Sequence, residues 1–66
     1  MSTTTTIRSA MRRNLSRAVD PSTGEACLTT LAEETAHDLG HPEWLDDETH
    51  VIWDLAIKVA EEGGAL

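Results

Sequence analysis

Sixty-six residues, with Trp44 and Trp53 as the only Trp, Tyr or Phe side chains and Cys27 as the single cysteine, leave room for one small, aliphatic core. They exclude a second lobe, an internal disulfide and a four-cysteine zinc site. The formal net charge of −7 is divided along the chain: Arg8, Arg12, Arg13 and Arg17 precede residue 20, all twelve acids lie from Asp20 onward, and Lys58 is the one lysine or arginine among them.

In chain order, residues 1–5 read as a polar tail. Ile7, Met11, Leu15 and Ala18 then recur at helical spacing and predict a first helix from about Thr6 to Val19. Asp20 resists the helical conformation before Pro21, and Gly24 is free to take a positive φ, so the helix stops there. Thr30, Leu31, Ala32 and Glu33 match a capping box, in which the hydroxyl and the carboxylate each satisfy a free backbone N–H at a helix start. A second helix is therefore expected from near Thr30, after a very short strand somewhere in Glu25 to Thr29. Leu28 also fits its apolar stripe with Leu31, Ala32, Thr35 and Leu39, which keeps an earlier start open. Gly40 and Pro42 end it. Asp46, Asp47 and Glu48 place negative charge at the positive end of a third helix, which runs to Glu62 with Gly63 as its stop. Val51, Ile52, Leu55 and Val59 make one side of that helix, and Trp53, Ile57 and Ala60 continue around the cylinder. That is more apolar surface than one small core needs.

Chemistry-bearing patterns are sparse. His37, Asp38, Leu39, Gly40 and His41 approach the HExxH zinc motif, but that motif needs both histidines on one continuous helix, and Gly40 with Pro42 interrupts it. A metal site drawn from His37, His41 and His50, with Cys27, stands as an alternative to ordinary surface histidines. No glycine-rich elbow surrounds a serine or cysteine, and Gly63 and Gly64 follow a helix C-terminus, the wrong end for phosphate. Cys27, between Ala26 and Leu28 and near Glu25, reads as an inert, partly buried thiol. The adjacent acids Glu33 and Glu34, and Asp46 and Asp47, read as solvated surface. The expectation is a protein without catalytic residues, cofactor or metal.

The four arginines occupy the half of helix one opposite Ile7, Met11 and Leu15. They admit two readings: pairing with acids on the other helices while their stems cover the core, or contact with nucleic acid or an acidic partner. The segment Leu28 to Leu66, with its helix from Leu31-Ala32-Glu33-Glu34 to Leu39-Gly40 and a longer helix closing on Val59-Ala60-Glu61-Glu62-Gly63, resembles the helix-turn-helix core of a winged-helix domain truncated before the wing. The resemblance implies helix one as the supporting helix and helix three as the reading helix. Asp46, Asp47 and Glu48 depart from it, since they would repel phosphate where such a helix meets DNA.

Together these features predict an all-α, three-helix bundle with a helix-turn-helix-like arrangement in one domain spanning residues 1–66. The expected function is non-enzymatic binding of a protein partner, or of a second copy, through Trp53, Ile57, Ala60 and Trp44. The alternatives are a nucleic-acid-associated regulator using Arg8, Arg12, Arg13 and Arg17, and the metal-binding protein above. No apolar run approaches the roughly 18 residues of a membrane span, and Met1 to Thr6 lacks an apolar signal core, so a cytoplasmic protein is expected.

Overall fold

Ile7, Ala10, Met11, Asn14 and Ala18 form the buried face of the first helix. In the computed structural model, which describes residues 3–66, that helix is α1 (Thr3–Ala18); it packs against α2 (Leu28–Asp38) and α3 (Val51–Glu62), which also pack on each other. A 3-10 helix, Pro42–Asp46, connects α2 to α3. The chain is thus an all-α three-helix bundle. Among the described residues, no helix is long and apolar enough to cross a membrane.

The expected polar tail is shorter than its composition suggests. Thr3, Thr4 and Thr5 are the first turn of α1, while Met1 and Ser2 lie outside the described residues. Threonine carries only a modest helical penalty. Thr3 and Thr6 border a hollow of about 400 Å³ shared with Ile7, Leu39, His41 and Trp44, so this turn faces the end of α2 and the 3-10 segment.

The core holds Ile7, Met11, Leu31, Ile52, Leu55 and Val59 as its fully buried large apolar side chains, with alanines 10, 18, 32, 36, 56 and 60 between the helices. Two buried polar side chains find local acceptors. Thr35 Oγ1 donates to the Leu31 carbonyl at 2.8 Å, and Asn14 Nδ2 donates to the Ala10 carbonyl at 2.9 Å. Each bond satisfies a donor that would otherwise be stranded in an apolar interior.

Helix ends explain the connections. At α2 the Gly40 N–H donates to the His37 carbonyl at 3.1 Å and the His41 N–H to the Ala36 carbonyl at 2.9 Å, with Gly40 at φ 75°. This is the Schellman pattern that a left-handed glycine permits, as expected for Gly40. At α3 the same pattern is displaced by one residue from the expectation: Gly63 keeps right-handed geometry, and Gly64 takes φ 70°. The Ala65 N–H then reaches the Ala60 carbonyl at 2.8 Å, and the Ala65 carbonyl accepts from the Ala26 N–H at 2.7 Å. The chain end is thereby tied to the α1–α2 loop.

That loop contains what remains of the expected strand, a single isolated antiparallel bridge between Val19 and Ala26. The Cys27 N–H continues the pairing by donating to the Ala18 carbonyl at 2.9 Å. Helix α2 begins directly afterwards, so Thr30 is its third residue and not its cap. Packing of Leu28 against the core draws the start forward to Cys27, which holds the extended N-cap conformation (φ −83°, ψ 110°) without a side-chain capping bond. Serine fits the same backbone and supplies a stronger acceptor for the free N–H groups of the first turn. Cys27→Ser is therefore expected to stabilise the fold by about 0.5–1 kcal/mol and to raise the melting temperature by roughly 2–8 °C. Thr30→Ala is expected to stay within about 0.5 kcal/mol. Thermal melts of the two variants test the assignment, and the opposite ranking would return the cap to Thr30.

Candidate protein interface

Helix α3 divides into a buried and an open side. Ile52, Leu55, Ala56, Val59 and Ala60 face α1 and α2 in the core. Ala60 is fully buried, which removes it from the expected partner surface: it is one of the small residues that let the helices approach. Trp53 is half-buried at the edge of the core, and its Nε1 donates to the Asp47 carbonyl at 3.0 Å. One turn later Ile57 is 41% exposed. Asp54, Lys58 and Glu61 are exposed beside this pair, so an apolar edge adjoins a charged rim.

Trp44, the fourth expected interface residue, is half-buried and occupied differently. Its indole is stacked between two imidazoles, His41 at 4.4 Å between ring centroids and 9° between planes, and His50 at 4.8 Å and 19°. His50 is also the N-cap of α3, where its Nδ1 accepts from the Ile52 N–H at 3.1 Å. The acids expected at the start of α3 lie in the segment just before it. Asp46 ends the 3-10 segment, and Asp47 folds the following turn by accepting the Thr49 N–H at 3.0 Å and the Thr49 hydroxyl at 2.8 Å. Those two bonds hold the Asp47 carboxyl below its usual range. Glu43 is likewise held low, first by its 2.8 Å hydrogen bond with His41 Nδ1.

The candidate metal ligands do not converge. Trp44 stands between His41 and His50, and His37 occupies the exposed last turn of α2. Among the described residues, no group of three or more histidines, cysteines and acids is placed to hold a metal ion. Cys27 corrects another expectation, since it is exposed and not partly buried. The nearby Thr30 hydroxyl and backbone N–H hold the thiol pKa below its ordinary value.

All four arginines reach acids on the other helices. Arg8 and Arg12 approach Glu62 at 3.8 and 3.4 Å, Arg13 approaches Asp38 at 3.6 Å, and Arg17 approaches Glu34 at 4.0 Å. The two readings of the basic helix are thus weighted toward internal pairing. Lys58, by contrast, forms no ion pair among the described residues. Comparison with protein families, characterised proteins and solved structures finds no match to this chain.

Ion pairs this exposed contribute about 0–1 kcal/mol each and are screened by salt. Glu62→Gln removes the acid shared by Arg8 and Arg12. It is expected to lower stability by less than about 1 kcal/mol at low salt, a difference that disappears near 1 M salt. Urea unfolding at the two ionic strengths measures it, and a salt-independent loss above about 2 kcal/mol would show that Glu62 supports packing instead.

Proposed function

We propose that this protein is a non-enzymatic interaction module that binds a protein partner, or a second copy of itself, through the Trp53–Ile57 edge of α3. The observation that carries the reading is Ile57, exposed beside a half-buried tryptophan on a helix whose core side is already filled. Burial of an isoleucine side chain is worth about 1.5–3 kcal/mol. A tryptophan whose ring is already positioned loses little freedom on binding, which favours it as an interface anchor. The bond from Trp53 Nε1 to the Asp47 carbonyl gives it that fixed position. Asp54, Lys58 and Glu61 provide the polar rim that surrounds such anchors.

Nucleic-acid binding through α1 is the second reading, and the pairing of Arg8, Arg12, Arg13 and Arg17 weakens it. Each phosphate contact would first displace a carboxylate, and α2 and α3 bring further acids to the same molecule. A lone, exposed Cys27 fits the reducing cytoplasm proposed as the working compartment.

Ile57→Asp tests the proposal, because an exposed position tolerates the change within about 0.5 kcal/mol in the free protein. Sedimentation over a range of protein concentration, together with affinity capture from the native cytoplasm, follows association of the two forms. The expected result is a complex or self-assembly that wild type retains at high salt and that the variant, still folded, loses. Loss of association with Arg12→Glu and Arg13→Glu but not with Ile57→Asp, with a steep fall in added salt, would transfer function to α1.

A further inference from the structure

The stack of His41, Trp44 and His50 is assembled from the N-cap of the 3-10 segment, the segment itself and the N-cap of α3. Its hydrogen bonds fix the protonation pattern. A backbone N–H can only donate, so His50 Nδ1 must present a lone pair to Ile52, and the neutral ring carries its proton on Nε2. An ionised carboxylate can only accept, so His41 Nδ1 must carry a proton toward Glu43. The two rings therefore respond in opposite senses to a second proton. On His41 that proton goes to Nε2, leaves the Glu43 bond intact and adds positive charge against the face of Trp44, a favourable arrangement. On His50, which shares the contact with Trp44, it goes to Nδ1, abolishes the acceptor and places an imidazolium at the positive end of a helix, two costs that His41 does not bear.

We propose that the His41–Trp44–His50 stack is a pH-responsive clasp, in which neutral His50 caps α3 against Trp44 and protonated His50 releases the first turn of α3 while the His41 side stays closed. Histidine is the side chain that makes this change in the range of about pH 5–8.

The charged groups around the stack direct the release. Glu43, on the 3-10 segment, acts on both imidazoles, and Asp47, in the turn before α3, acts on His50. Asp46 and Glu48 flank that turn, and Asp54 lies in the first turn of α3. The sides of α2 and α1 that border the hollow beside Trp44 offer Leu39, Thr3, Thr6 and Ile7, none of them ionisable. Glu43 and Asp47 are held below the usual carboxylate range, so both remain charged where the imidazoles take up protons. The Asp47 backbone carbonyl accepts the Trp53 indole N–H, so the loosened turn adjoins the proposed binding edge, although the clasp does not require that edge to have a partner.

Amide hydrogen exchange and imidazole ¹⁵N spectra of the intact protein test the clasp. At the upper end of the histidine range, the spectra are expected to show the Nε2–H form of His50 and the Nδ1–H form of His41. On acidification, the protection factor of the Ile52 amide should fall about five-fold, the typical effect of losing a side-chain cap, while those of Leu55 and Val59 hold. His50→Asn supplies a cap that does not titrate, so its Ile52 amide should keep the same protection factor at both pH values. An unchanged Ile52 factor in wild type, an equal fall in His50→Asn, or an Nδ1–H form of neutral His50 would overturn the proposal.

Discussion

Close approach of three helices around a small aliphatic core is the constraint on which the rest of this structure depends. Neither tryptophan is fully buried, and the large apolar volume comes from Ile7, Met11, Leu31, Ile52, Leu55 and Val59. So few side chains fill a core only when backbones lie near each other, and the buried alanines of all three helices permit that. A larger residue at Ala32, Ala36, Ala56 or Ala60 would force the helices apart and open space that nothing else in the chain can fill. The same constraint sets aside Trp53, Trp44 and Ile57. Trp44 and Trp53 pack half-buried against the core, and Ile57 is exposed one turn after Trp53.

Charge follows from the same arrangement. The arginines of α1 and the acids of α2 and α3 are separated in sequence and brought together by helix packing, so part of the chain's electrical asymmetry is cancelled in the fold. The pairs are exposed and individually weak. What remains uncancelled is an acidic surface with Lys58 beside Ile57. The sequence polarity that suggested a nucleic-acid contact is thus partly met by pairing within the bundle.

The three helices were legible because apolar spacing and glycine stops act locally. Ile7, Met11 and Leu15 mark α1, and Gly40 ends α2 by the left-handed geometry its sequence context predicts. The differences arose where distant residues decide. Thr30 has the form of a cap, but the packing of Leu28 and the bridge from Val19 to Ala26 start α2 at Cys27. Gly63 and Gly64 are equivalent as a helix stop until the chain end must turn back toward Ala26. Ala60 resembles Ile57 in an apolar stripe, and the approach of the other helices separates them. Asn14 belongs to the buried face of α1 although its side chain is polar, because its amide bonds one turn back along its own helix. The histidine stack was only half legible: His41 and Trp44 lie three residues apart on the 3-10 segment and its N-cap, but His50 is six residues further on, and the turn through Asp47 and Thr49 places it against Trp44.

The central claim is that the core closes without Ile57 and leaves it on an open edge. Methyl relaxation by a soluble paramagnetic probe measures this directly in the dilute protein. The Ile57 methyls are expected to relax strongly, while those of Ile7, Leu31, Ile52 and Leu55 are shielded. Ile57 methyls as protected as those of Ile52 would contradict it, because α3 would then have no free side to offer a partner.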